Sequence, residues 1–324
     1  MAARIPLLVV IGPTASGKSA LALRLAEELN GEILSGDSMQ VYRGMDIGTA
    51  KPTAGERVRV PHHLIDILDI DAAFSAADFV GLATAAARDV CRRGRLPILA
   101  GGTGLYIELL LSGGPAPTAP ADEKVREALY AFARREGNDA LWARLAALDP
   151  ETAAAAHPNN VKRVVRALEI YELTGRTKSE QDKAGRFFEP LFDPFVVRLG
   201  GERETIYARI DRRFDRMLSD GLLDEARALY ARGLAGTPTA SQAIGYKELL
   251  PFLCGAETLE TCVETAKRAS RRYAKRQETY FNRIPADLRL EIGDGSCETS
   301  VNIVKNRLTA RRSHVIIEDK GEPG

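Results

Sequence analysis

Two periodicities order the apolar residues of the N-terminal third. Residues 5–11 (Ile-Pro-Leu-Leu-Val-Val-Ile) form a continuous apolar run. A run without alternation predicts a strand buried on both faces, as in a parallel sheet. After a glycine-rich turn, Leu21, Leu25 and Leu29 recur at helical spacing and predict a helix over 19–29. Glu32–Leu34 reads as a second short strand, 76–93 as a helix, and Leu96–Ala100 as a third strand ending at Gly101-Gly102. Strands alternating with helices imply right-handed β-α-β units around a parallel sheet.

The pattern changes at 112–120 (Ser-Gly-Gly-Pro-Ala-Pro-Thr-Ala-Pro), which breaks helix and strand alike and reads as a hinge. Residues 121–174 are almost wholly helical in pattern, and a second irregular stretch, 183–194, ends in Asp193-Pro194. Phe195–Leu199 is again a strand, followed by helices at 203–219, 222–232 and 257–283. The expected organisation is an α/β core, 1–114 with 195–312, interrupted by a helical insertion domain, 115–194. The polar, Gly- and Pro-containing residues 313–324 are expected to be disordered. No internal repeat is visible.

At about 150 residues per domain, a chain of 324 residues would suit two domains in series. The pattern favours one core with an insertion instead. Hydrophobic residues at 45% and charged residues at 27% are those of a soluble globular protein. No apolar run approaches the ~18 residues of a membrane helix, and no signal-peptide layout precedes the first strand. A cytoplasmic protein without a membrane partner is expected. Cys91, Cys254, Cys262 and Cys297 are scattered without a C-x-x-C pair, which suits free thiols in a reducing compartment. His62, His63, His157 and His314 are too dispersed for a zinc site. The net charge of +1 gives no hint of a polyanionic partner.

Local chemistry says more. Gly12-Pro13-Thr14-Ala15-Ser16-Gly17-Lys18-Ser19 fits the P-loop pattern G-x-x-x-x-G-K-[ST], between a buried strand and a helix. Its glycines let backbone amides turn toward a phosphate, the helix N-terminus adds positive potential, Lys18 adds a charge, and Ser19 can hold Mg²⁺. The fold class is therefore a P-loop NTPase-like parallel sheet core. The motif specifies phosphate or diphosphate, not ATP. Asp37, after the second strand, and Thr103, after the third, should fall at the same sheet edge, where ligands bind in such folds. Asp37 suits a general base or an indirect metal ligand, and equally a turn residue. Thr103 suits a ligand contact, and equally the start of a helix.

Basic residues are clustered. Lys162, Arg163 and Arg166 lie within about one helical turn, an arrangement that also describes an ordinary solvated face. Residues 267–283 hold seven basic residues against one acidic, a local +6, with Tyr273, Tyr280 and Phe281 interleaved. This stripe suits a phosphate backbone, with a solvated amphipathic helix as the alternative. Arg209 and Arg213 are four apart and share a helix face that can reach one anion. Ser241–Lys247 reads as a polar, Gly-containing loop able to touch a base, and equally as an ordinary loop.

Together these segments resemble the tRNA dimethylallyltransferase (tRNA isopentenyltransferase) family, bacterial type. The matching stretches are 12–19, 35–42 (Ser-Gly-Asp-Ser-Met-Gln-Val-Tyr), 44–52 (Gly-Met-Asp-Ile-Gly-Thr-Ala-Lys-Pro) and 61–66 (Pro-His-His-Leu-Ile-Asp). Others are 75–79 (Ser-Ala-Ala-Asp-Phe), 101–106 (Gly-Gly-Thr-Gly-Leu-Tyr), parts of 157–169, 244–246 (Ile-Gly-Tyr) and 274–277 (Ala-Lys-Arg-Gln). The resemblance implies transfer of a dimethylallyl group from dimethylallyl diphosphate to N6 of the adenosine 3′ to the tRNA anticodon. It implies that residues 12–19 (Gly12, Pro13, Thr14, Ala15, Ser16, Gly17, Lys18, Ser19) hold the donor's diphosphate. Asp37 matches the general base and Thr103 the residue near the bridging oxygen. Lys18, Ser19 with Mg²⁺, and Arg209 or Arg213 would stabilise the departing charge. Implied tRNA contacts are Asp37, Ser38, Met39, Gln40, Thr103, Arg126, Lys162, Arg163, Val164, Val165 and Arg166. Ser241, Gln242, Ala243, Ile244, Gly245, Tyr246, Lys247, Lys275 and Arg276 complete the set. The base would be flipped into a channel, with the insertion gripping the anticodon stem-loop. A monomer is expected. Tyr280 and Asn282 replace the Trp and Arg of many relatives, and the zinc finger of eukaryotic relatives is absent.

Other readings share parts of this pattern. An adenylate isopentenyltransferase acting on free AMP or ATP would share the P-loop and Asp37, but generally lacks the insertion and the basic helix. A P-loop small-molecule kinase and a non-catalytic P-loop RNA-binding module remain.

Overall fold

The computed structural model of the chain describes residues 4–113, 122–185, 190–291 and 297–318. Two compact units divide the chain: Met1–Leu111 with Leu191–Gly324, and Ser112–Pro190.

In the first unit six strands form one parallel sheet: β1 (Ile5–Ile11), β2 (Gly31–Ser35), β3 (His62–His63), β4 (Leu96–Gly101), β5 (Phe192–Gly200) and β6 (Leu288–Glu291). Their spatial order is β3-β2-β4-β1-β5-β6. β1 is central, with Val9 paired to Leu99 on one side and Val196 on the other. Its side chains alternate between two cores. Leu7, Val9 and Ile11 join α3 (Ala76–Arg92), α4 (Gly104–Leu111) and the C-terminal half of the unit. Leu8 and Val10 join α1 (Lys18–Glu28) and the last helix, Cys297–Glu318. Both parities must be apolar, which is why the run in the sequence is unbroken.

The edge strands were not visible in the sequence. β3 has two residues, and β6 alternates between half-buried and exposed. β5 starts at Phe192, earlier than the expected Phe195, with Pro194 inside it. β6 pairs with β5 only from Val197 onward, so at Pro194 the sheet continues on one side alone. A proline is tolerated there. The expected hinge at 112–120 lies outside the described residues from position 114 on. Residues 313–324 were expected to be disordered, but the last helix runs to Glu318; 319–324 lie outside the described residues. The helix is fixed by Val301, Val304 and Leu308 in the core and by Lys305 paired to Glu28 at 2.8 Å.

The second unit comprises α5 (Glu123–Glu136), α6 (Asn138–Leu148), α7 (Pro150–Ala154), α8 (Val161–Thr174) and α9 (Lys178–Gly185). Its core includes Leu129, Leu141, Leu145, Val164, Val165 and Leu168. Val164 and Val165 are 0% and 2% exposed, so their side chains are not available to RNA, contrary to expectation. Glu169 is sealed in the same unit and accepts from the Asp122 amide at 2.8 Å, Arg126 at 2.9 Å and Arg166 at 2.6 Å. Burial alone would raise its pKa; these three donors outweigh it and hold the carboxyl below its usual range.

After β5 come α10 (Arg203–Ser219), α11 (Leu222–Ala231), α12 (Tyr246–Leu253), α13 (Leu259–Phe281) and, last, α14 (Cys297–Glu318). They brace the long segment between β2 and α3, which includes α2 (Ala54–Arg59). The Glu225 carboxylate on α11 accepts the amides of Asp46, Ile47 and Gly48 and the Tyr246 hydroxyl. Lys51, buried, donates to the Tyr42 carbonyl and pairs with Asp46 and Asp66, while Arg57 meets Asp66 at 2.6 Å. The 44–52 motif is thus a folding device that fixes the loop following Asp37.

Gly48 lies against the Tyr246 ring; a Cβ there would sit 2.5 Å from it. Tyr246 cannot swing aside while Glu225 and the Gly48 amide hold its hydroxyl. Gly48→Ala should destabilise the protein by about 1–3 kcal/mol. Gly81→Ala, on a helix with open space around the position, should stabilise by roughly 0.5–1 kcal/mol. Denaturant midpoints of the two variants check this, and coincident midpoints would refute it.

Candidate active site

Every strand of a parallel sheet ends at one edge, so the turns after β1, β2 and β4 meet there. The turn after β1 is the P-loop. Ala15 (φ 63°) and Gly17 (φ 87°) are left-handed, turning amides toward the space in front of α1. The Ser16 hydroxyl is buried without a hydrogen-bond partner among the described residues. An unpaired buried hydroxyl costs free energy unless a ligand satisfies it.

Two arginines of α10 reach this loop. The Arg209 guanidinium lies 3.7 Å from where a Gly17 side chain would begin. Arg213 acts on Lys18 by its charge. Burial pulls the Lys18 ammonium down to about 8, Arg213 adds to the fall, and Asp37 opposes it. Burial also lowers Arg213, again against Asp37. Both arginines therefore lie near the P-loop, Arg209 beside Gly17 and Arg213 within electrostatic reach of Lys18.

The cleft in front of Asp37 has a volume of about 210 Å³. Thr14, Asp37, Ser38 and Met39 line it beside Gly48 and Thr49. Ile210, Arg213, Phe214 and Met217 come from α10, and Gln242, Ala243 and Ile244 from the segment before α12. Ser270 and Tyr273 of α13 close it. The walls are thus largely apolar, with Asp37 and Arg213 as the charged groups. Asp37 Oδ1 accepts the Met39 amide at 2.8 Å, an Asx turn that fixes the carboxylate. Thr103 Oγ1 accepts the Ser38 amide at 3.0 Å, tying the turn after β4 to the Asp37 loop.

Several expected tRNA contacts stand differently. Ser241–Lys247 is no plain loop: it is a short helical turn followed by Gly245, which introduces α12. Tyr246 is 0% exposed and Ala243 3%; Tyr246 belongs to the core and holds Glu225, so its side chain is not available to a base. The Gln40 amide is spent internally, accepting from Ser35 at 2.7 Å and donating to the Thr49 and Ala50 carbonyls. Arg126 and Arg166 share Glu169, whereas Lys162 and Arg163 are exposed. In the basic stripe, Lys267 pairs with Asp215 at 2.6 Å and Arg271 with Asp211 at 2.5 Å. The solvent-facing cations are Arg268, Arg272, Lys275, Arg276 and Arg283.

Sequence reasoning missed the apolar wall of α10, Tyr273 and Gln277. Their signal was the inward face of α13, opposite the stripe. Burial and then Asp37 push the Tyr273 phenol up to about 12, against hydrogen bonds with Thr103 and Gln277. It stays a neutral hydroxyl at physiological pH.

Ser19 is exposed at the first turn of α1 and opens on a smaller cavity, about 100 Å³, lined also by Ser35, Gln40, Glu56 and His62. No group of three His, Cys, Asp or Glu side chains suited to a metal occurs among the described residues. One hydroxyl beside a phosphate loop fits a Mg²⁺ bound mainly through phosphate oxygens and water.

Comparison with known proteins decides the family. A model of the family described as IPP transferase matches residues 40–284. The chain belongs to the IPP transferase family. It is 50% identical over 275 residues to the tRNA dimethylallyltransferase of Halalkalibacterium halodurans, covering 85% of this chain and 87% of that protein. It is 48% identical to the Bacillus subtilis tRNA dimethylallyltransferase over 85% of this chain and 87% of the relative. The crystal structure of the full-length tRNA isopentenylpyrophosphate transferase of Bacillus halodurans is similar at TM-score 0.70 and 45% identity, covering 96% and 99% of the two chains. A eukaryotic dimethylallyltransferase acting on tRNA is similar at TM-score 0.80 and 31% identity, over 94% of this chain and 80% of that one. The family model begins at residue 40, just after the P-loop and Asp37.

The depressed Lys18 pKa has a measurable consequence. In the free protein Lys18 loses its proton as pH rises through about 8. A bound diphosphate favours the charged form, so above that pH binding must be accompanied by proton uptake. Inorganic diphosphate should therefore bind progressively more weakly to the native protein than its own titration accounts for, and Lys18→Gln should lack this component. Calorimetry in buffers of different ionisation heat reads the uptake; equal uptake by both proteins would rule Lys18 out.

Proposed function

We propose that this protein transfers a dimethylallyl group from dimethylallyl diphosphate to N6 of the adenosine 3′-adjacent to the anticodon of tRNA. The observation that carries the reading is one cleft holding Asp37 and Arg213 between apolar walls, with Thr14 of the P-loop at its margin. A P-loop alone marks phosphate; an apolar space with a fixed carboxylate beside it suits an allyl group meeting an amine.

The P-loop amides and Lys18 hold the diphosphate, and the Ser16 hydroxyl gains a partner. N6 attacks the allylic carbon, the carbon–oxygen bond to diphosphate breaks, and Asp37 takes the N6 proton. Lys18, Arg209 and Arg213 stabilise the charge left on diphosphate, with Thr103 near its bridging oxygen. Ser19 would hold Mg²⁺, which when bound offsets phosphate charge. The exposed Lys162 and Arg163, and the outer face of α13 with Lys275 and Arg276, suit tRNA phosphates. The substrate adenosine enters flipped out of its loop. No helix among the described residues is long and apolar enough to cross a membrane. The protein acts as a cytoplasmic monomer.

Incubation with dimethylallyl diphosphate, Mg²⁺ and unmodified tRNA should yield prenyladenosine on nuclease digestion and mass spectrometry. Asp37→Ala should lower kcat by about a hundred- to ten-thousandfold with tRNA affinity nearly unchanged. Product from AMP but none from tRNA would establish a free-nucleotide enzyme instead, and a fully active Asp37→Ala would remove Asp37 from the mechanism.

A further inference from the structure

One buried carboxamide links the separate turns of the site. Gln277 of α13 is 5% exposed. Its Oε1 accepts the Thr14 amide at 2.8 Å, and its Nε2 donates to the Gly102 carbonyl at 2.9 Å. Thr14 belongs to the P-loop; Gly102 precedes Thr103. A Cβ at residue 102 would strike the Gln277 nitrogen, so a side chain there would push the carboxamide from its place. Thr103, the next residue after Gly102, accepts the Ser38 amide, and Asp37 accepts the Met39 amide. Hydrogen bonds and one stretch of backbone thus link the P-loop through Gln277 to the loop that carries Asp37.

We propose that Gln277 is a positioning residue: its carboxamide fixes the register between the P-loop and the Thr103 turn. A diphosphate held by the first then meets the Thr103 hydroxyl in a single geometry. The consequence for catalysis rests on the prenyl-transfer reading; the lock itself does not. The task needs a planar group with a donor and an acceptor on opposite arms. Leucine has a similar shape and neither group, and would leave the Thr14 amide and the Gly102 carbonyl unpaired in a buried place. Misplacement by about an ångström is enough to cost on the order of a hundredfold in rate.

The test uses the full chain. In amide NMR spectra of the native protein, inorganic diphosphate should shift the Thr103 amide as well as the P-loop amides. In Gln277→Leu the Thr103 response should be lost while the P-loop response remains. With donor and tRNA, at a temperature where both proteins are fully folded, kcat of Gln277→Leu should fall about tenfold or more while the donor KM stays within about threefold. Gln277→Glu supplies a second readout. Its protonated carboxyl both accepts and donates, so its rate relative to native should rise as pH falls. An undiminished Thr103 response, or a native kcat, in Gln277→Leu overturns the assignment. A native protein that makes no prenyladenosine overturns the transfer reading alone, because the amide shifts still decide Gln277.

Discussion

Two half-buried cations, Lys18 and Arg213, face a single carboxylate, Asp37. Charges withdrawn from water raise the free energy of the folded state; burial lowers both pKa values, and at Lys18 the Arg213 charge adds to the fall. Packing elsewhere has to hold this arrangement before any ligand arrives. The central strand does so from below, with Val9, Val10 and Ile11 fully buried. Ile206 and Ile210 of α10, packed on Ala274 of α13, keep the arginine-bearing helix in place. An anion in front of α1 relieves both the repulsion and the unpaired Ser16 hydroxyl. The electrostatics at the P-loop therefore suit an anion whatever its identity, and the cleft lined by Ile210, Phe214 and Met217 adjoins Asp37 and Arg213.

The sequence made the centre of the fold legible and its margins less so, for a physical reason. Strands buried on two faces and helices with one apolar stripe impose strong periodicities, so β1, β4, α1, α3, α10 and α13 stand out. Edge elements impose little. The two-residue β3 and the half-exposed β6 carry almost no pattern, and α12 hides behind a polar approach and an internal Pro251. The C-terminal residues misled by composition: α14 is anchored by three buried apolar positions, Val301, Val304 and Leu308, spaced three and four apart among mostly polar neighbours.

The site was legible where chemistry demands particular residues at short range, and obscure where it is assembled across the chain. The P-loop, Asp37 and Thr103 could be placed because each follows a strand. Gln277 and Tyr273 could not, since only the packing of α13 on the sheet edge brings them there. Resemblance also mixes two kinds of residue. Ser75 and Asp78 form a reciprocal helix cap, and Asp46–Gly48 exist to meet Glu225, so those matches report folding. Val164, Val165 and Tyr246 sit among polar neighbours in sequence yet belong to hydrophobic cores.

α13 unites these strands of argument. A helix repeats every 3.6 residues, so successive positions necessarily face different surroundings. Ser270, Tyr273 and Gln277 turn to the site, whereas Arg272, Lys275 and Arg276 turn to solvent. Lys267 and Arg271 do neither; Asp215 and Asp211 bind them to α10. Two of the seven basic residues of the stripe thus hold the helix rather than attract RNA, and the overall balance of +1 conceals a smaller, sharper patch of free charge. Counterion release scales with the phosphates such a patch engages, so the outer face is where this helix can attract a polyanion. Its inner face carries the bonds from Gln277 to Thr14 and Gly102. Because the two faces are one helix, the free charge and the bonds that join the P-loop to the Thr103 turn share a single element.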